Sequence, residues 1–168
     1  MRKLLDRFFD VCFHLAAFSM VLMGVMVFAQ VVGRIFGMLI PSAPEIAGYS
    51  MASASFLALA HTFKRGGHVR VSLLIYALGR TKRRWAEIVS LALAFLLSVF
   101  FFFYLFLMTV ESCQFGEMSS GVVPIPLWMP QTLLTLGVFA LALAIGEALL
   151  DTIRGVTPSY IKGEELAH

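Results

Sequence analysis

Apolar residues in this chain do not alternate; they come in four long blocks, separated by short polar links. The blocks are Val11 to Phe36, Ile46 to Phe63, Ile88 to Val110 and Leu127 to Leu150, each between 18 and 26 residues long. A helix needs about 20 apolar residues to cross a bilayer. In lipid the backbone must satisfy its own hydrogen bonds within the segment, so each block predicts a transmembrane helix. The expected fold is an all-α integral membrane protein: a single four-helix membrane domain over residues 1–168, with helices at about 11–36, 46–63, 88–110 and 127–150.

Between the second and third blocks, Val69 to Leu78 reads VRVSLLIYAL. This stretch is too short to span, and glycines flank it. It predicts a short amphipathic helix, 69–78, lying along the membrane interface. Met1 to Asp10 is a short mixed-charge lead-in and predicts an interfacial helical turn before the first helix. Met1-Arg2-Lys3 before an apolar run imitates a secretion signal. The run is too long for one and no small-x-small cleavage site follows, so a retained helix is expected.

Composition agrees with this reading. Of 168 residues, 60% are hydrophobic and 14% charged, against about 25% charged in a soluble domain. The net charge of +3 does not call for nucleic acid, because seven of the thirteen Lys and Arg sit in one link, Lys64 to Arg84. That link has no acid, whereas Glu111 to Pro126 has two acids and no Lys or Arg. The positive-inside rule places the basic link, and with it both termini, in the cytoplasm. Arg80, Lys82, Arg83 and Arg84 are then expected at phospholipid head groups. Cys12 and Cys113 fall on opposite sides of the membrane, which excludes a disulfide between them.

Little in the spans points to chemistry. There is no phosphate-binding glycine loop with Lys and no His/Cys/acid cluster at metal-ligand spacing. The centres of the spans, near Gly24, Ala54, Val99 and Val138, hold no ionisable residue. Ion and proton pathways need polar groups at that depth, so any transport route is expected in another polypeptide. No enzymatic activity and no cofactor is expected.

Polar groups gather at the helix ends instead. Gln30 and Arg34 share a face at the end of the first helix, and Glu45 opens the second at the same level. An Arg34–Glu45 pair, within the chain or with a partner, would orient the helices. Glu147 and Asp151 share a face at the opposite end, at the depth of Arg80 to Arg84, and predict a charge-paired collar. His14 and His61 lie at one depth on neighbouring helices. Interfacial histidines are the plain reading; axial haem ligands are the alternative. Small residues on the second helix, Gly48 and Ala52 among them, and Ala140, Ala144 and Ala148 on the fourth predict close helix packing. The second helix is expected to be the most protein-buried span. Phe95, Phe100 to Phe103, Tyr104 and Phe106 predict a lipid-facing third helix.

One stretch is more specific. QVVGRIF (Gln30 to Phe36) precedes Pro44-Glu45, then the small-residue second helix, then FKRGGHVRVSLL (Phe63 to Leu74), and Pro126-Leu127-Trp128 precedes the fourth helix. The pattern resembles the small, DctQ-like membrane subunit of tripartite ATP-independent periplasmic (TRAP) transporters. Arg34, Glu45, Gly66 and His68 match that family's motif positions; Ser72 stands where it usually has Asp, and Ala58 where a Gly is common. The resemblance implies a non-catalytic small permease subunit of a sodium-gradient-driven organic-acid uptake system in the bacterial inner membrane. It implies two protein partners, a large membrane transport subunit and a periplasmic solute-binding protein. His68 and Arg70 would then belong to an inner-loop motif touching head groups. A haem-bearing membrane anchor of a respiratory enzyme and a stand-alone small transporter are the alternatives.

Overall fold

The computed structural model describes residues 2–38, 40–64 and 80–154, and for 2–4 and 80–84 the backbone only. Its four helices are α1 (Arg2–Ile35), α2 (Ala43–Lys64), α3 (Arg80–Phe115) and α4 (Trp128–Arg154). Among the described residues no strand forms; a lone antiparallel bridge joins Met118 to Pro126. Three helices, α1, α3 and α4, are long and apolar enough to cross a membrane. The expected interfacial segment 69–78, with His68 and Arg70, lies outside the described residues.

The helices outrun the apolar blocks. α1 has 34 residues and α3 has 36, about 51 and 54 Å at 1.5 Å per residue. The polar residues at their ends are good helix formers, so the helix continues where the hydrophobicity stops. The expected separate turn at Met1 to Asp10 is therefore part of α1 from Arg2 onward. Phe9 in this stretch and Cys12 just beyond it are core residues.

Two glycines end the long helices in the same way. Gly37 (φ +69°) follows α1 and Gly116 (φ +62°) follows α3. Each lets the next residue bond back five positions, Met38 N to Gly33 O at 2.8 Å and Glu117 N to Ser112 O at 3.0 Å. This is the Schellman closure, which needs a left-handed residue that glycine supplies at least cost.

The helices form a row in the order α1–α2–α4–α3. α1 packs on α2, α2 on α4, and α4 on α3, while α1 scarcely meets α4. α2 and α4 run in the same direction. Glu45 meets Gly121 just before α4, Phe56 meets Gly137 midway, and Lys64 meets Glu147 at the far end. The seam between them is close: a Cβ on Gly137 would stand 2.5 Å from the Phe56 carbonyl carbon. The main core joins Phe9, Cys12 and Ala16 of α1, Leu57 and Ala60 of α2, and Ala140 and Ala144 of α4. A smaller one joins Leu91 of α3 to Ile145 and Ala148 of α4.

Ala140 and Ala144 thus pack as their spacing predicts, and Ala52 is half-buried. Gly48 does not pack within the chain; it is exposed, and a Cβ there would meet nothing within 4 Å. The expectation that the second helix is the most buried is also corrected. Ten residues of α4 are buried against six of α2. Both are inner helices of the row, α2 between α1 and α4 and α4 between α2 and α3, but Gly48, Met51 and Ser55 of α2 stay exposed along its length. The third helix faces outward as expected: only 6% of its apolar window is buried, against 44% for α4.

Candidate functional site: the two polar ends of the helix row

At the Glu45 end, the link between α3 and α4 folds onto the start of α2. Residues 117–127 close on themselves. Ser119 N donates to Ile125 O (2.8 Å) and Leu127 N to Glu117 O (3.0 Å). Ser112 Oγ donates to Glu117 Oε2 at 2.6 Å, tying the link to the end of α3. Ser42, just before α2, clasps it from the other side. Val123 N donates to Ser42 Oγ at 2.9 Å, and that hydroxyl donates to Val123 O at 3.4 Å. Ser42 holds φ +58°, a conformation rarely adopted by residues other than glycine.

Ser42-Ala43-Pro44-Glu45 has the S-x-x-E spacing of a capping box, in which both side chains would serve the helix's own N–H groups. Neither does so in that way. The Ser42 hydroxyl is engaged by Val123, and Glu45 Oε1 accepts from Tyr49 Oη at 3.0 Å, one turn on. Gly121 lies directly on the carboxylate; a Cβ there would overlap Glu45 Oε2. Glu45 Oε2 is buried and has no hydrogen-bond partner among the described residues.

Arg34 is not brought to Glu45. It is exposed at the end of α1 and forms no ion pair among the described residues. With Gln30, Val31 and Ile35 it lines an open cleft of about 390 Å³. The reason the expected intrachain pair fails is local. Tyr49 and the 117–127 link occupy the space around Glu45, and the guanidinium is left on an outward face.

At the opposite end the organising residue is Lys64. Its Nζ lies 3.0 Å from Glu147 Oε2 and 3.1 Å from Asp6 Oδ1. It also stands 4.2 Å from the centre of the Phe9 ring, a cation–π contact. One ammonium thus joins α1, α2 and α4. The side chains of Lys64 and Glu147 are each only 18% exposed, so this is a largely desolvated pair. Sequence reasoning placed Glu147 in a collar with Arg80 to Arg84 and missed Lys64, which it assigned to the basic link. The available signal was Asp6, an acid at the same depth as Lys64 and Glu147. Asp151 is buried beside the collar. Arg80, Lys82, Arg83 and Arg84 occupy the first turn of α3, of which only the backbone is described.

The histidines do not face each other. His61 stacks on Phe13, ring centres 4.3 Å apart at 26°. Successive helical residues point about 100° apart, so His14 turns away from His61 and is exposed. Cys12 is buried and Cys113 exposed, both as free thiols.

Four helices in a row, apolar outside and with the ionisable side chains of the described residues gathered toward the two ends, three of them long and apolar enough to span, fit a small multi-pass membrane protein. Residues 23–155 match the family of tripartite ATP-independent periplasmic transporters, DctQ component. The chain belongs to that family, the small membrane component of a TRAP transporter. No curated protein matches it.

Proposed function

We infer that this chain is the non-catalytic small permease subunit of a sodium-gradient-driven TRAP system for organic acids. It crosses the bacterial inner membrane four times, α2 included, with both termini in the cytoplasm. The Lys64 end is then cytoplasmic and the Glu45 end periplasmic. Twenty-two residues give α2 a length of about 33 Å, enough for the hydrocarbon core.

Its role is to enlarge the scaffold of the large transport subunit and to help dock the periplasmic solute-binding protein. The observation that carries this reading is a broad exposed apolar surface combined with a mid-span that holds no ionisable group. α1 and α3 are 11% and 6% buried across their apolar windows, and mid-span has no ionisable residue to serve a substrate or an ion. The folded link 117–127, held to α2 through Ser42 and Glu45, gives the docking partner a fixed surface. Arg34, Gln30 and Glu45 act as orienting groups at that level. His68, Arg70 and the run Arg80 to Arg84 act at the inner head groups.

Mild-detergent capture of the chain from its native membrane tests this. Co-recovery of a much larger multi-span protein is the expected result. Solute uptake by vesicles holding this chain alone, or a Soret band in the purified protein, would overturn it in favour of a stand-alone transporter or a haem anchor.

A further inference from the structure

One face of α1 stays open over most of its length: Phe13, Met20, Val27 and Arg34 are exposed on it, Met23 and Gln30 are half-buried, and Ala16 is a core residue. Near the Lys64 end, Phe13, Met20 and Met23 of α1 face Met51, Ser55 and Ala58 of α2 across an open apolar groove of about 490 Å³. Positions 13, 16, 20, 23, 27, 30 and 34 follow the three- and four-residue steps of a single helical face. The groove wall of α1 therefore runs directly into the cleft of Gln30 and Arg34. On α2 the exposed Gly48 lies one turn beyond Met51, and a side chain there would enter open space.

Arg34 lies 21 positions beyond Phe13 on this face, a rise of about 32 Å. That equals the full hydrocarbon thickness of about 30 Å. A lipid chain spans one leaflet, half of that length. A transmembrane helix spans all of it, and small residues such as Gly48, Ser55 and Ala58 let a second backbone come close. Arg34 closes the face with a cation that has no ion pair among the described residues. At the edge of the hydrocarbon core an exposed guanidinium meets an anion, a carboxylate of a partner or a lipid phosphate.

We propose that the α1/α2 face is the seat of one transmembrane helix of the large subunit, and that this helix carries a carboxylate opposite Arg34. The proposal rests on the scaffold reading above and adds which face is used and what chemistry meets it. The charge partner of Arg34 is then intermolecular, which accounts for Glu45 being engaged by Tyr49 and Gly121 instead.

The test uses the intact complex in native membranes. A photo-crosslinking residue is placed at Met20 or Met51 in the groove, at Val25 on the opposite side of α1, or at Phe101 on α3. Crosslinks to the large subunit are expected from Met20 and Met51 and not from Val25 or Phe101. Gly48→Trp, whose Cβ would meet no atom within 4 Å among the described residues, is expected to lower recovery of the large subunit about tenfold by overfilling the contact. Arg34→Glu should lower it as well, and Arg34→Lys should retain most of it. Groove crosslinks to phospholipid alone, or to a second copy of this chain, while the large subunit still co-purifies, would overturn the assignment and leave the scaffold reading standing. Failure to recover any large subunit with the unmodified chain would instead sink the scaffold reading, and this assignment with it.

Discussion

The seam between α2 and α4 and the outer flank of α3 are built from opposite materials. At the seam, Ser53, Leu57, Gly137, Ala140 and Ala144 are small or medium residues and are buried. On α3, Phe100, Phe101, Phe103 and Tyr104 are large and exposed. In water this distribution would be inverted. In lipid, apolar bulk gains nothing by being inside, and helices associate through close backbone approach and satisfied polar groups. Side-chain size, more than hydrophobicity, therefore separates the interior of this protein from its surface.

Substitutions can break or sharpen that contrast. The largest effect is expected from Gly137→Leu, because the obstructing atoms are the backbone of Phe56 and Leu57, which cannot rotate aside. A loss of about 3 kcal/mol or more should appear as a steep fall in thermal stability in detergent. Lys64→Met should follow at about 2 kcal/mol, since it removes the ammonium that bridges Asp6 and Glu147 in a largely desolvated setting. The double variant Lys64→Met, Glu147→Leu should recover much of the loss in the same assay. Tyr49→Phe should cost about 1 kcal/mol by removing the hydroxyl that binds Glu45. Ser42→Ala should cost about the same overall, with the loss read locally as faster hydrogen exchange at the Val123 amide. Phe101→Leu on the exposed flank should change stability by less than about 0.5 kcal/mol. A large effect there would show that the flank is an interior of some other kind.

The four helices were legible in the sequence as long apolar blocks, and three of them are long and apolar enough to cross a bilayer. The helix ends were not. Arg2 to Asp10 and Arg80 to Glu87 are polar yet helical, and hydropathy is silent about a helix that continues beyond lipid. The packing stripe of α4 was legible from Ala140 and Ala144, since four-residue spacing stays on one face. Gly48 carried the same signal but faces outward, because small size marks a possible approach without saying whose. Arg34 falls in the last turn of α1 and Glu45 in the first turn of α2. Depth alone did not reveal that Tyr49, four residues on, was the nearer hydrogen-bond partner for Glu45. Lys64 was overlooked because a lysine at the head of a basic run resembles its neighbours, and only the fold shows that it turns back toward Asp6 and Glu147.

The shared direction of α2 and α4 has an electrical consequence. Neighbouring antiparallel helices cancel each other's dipoles, but two parallel ones place their positive poles together at the Glu45 end and their negative poles together at the Lys64 end. Each pole amounts to roughly half an elementary charge. Glu45 in the first turn of α2 and Lys64 in its last oppose these poles with the right signs, and Arg154 does so at the end of α4. Glu147, within two turns of the negative pole of α4, has the wrong sign and is neutralised by Lys64. The two central helices thus form a small fixed capacitor across the protein, with its terminals held by the same residues that fasten the row together.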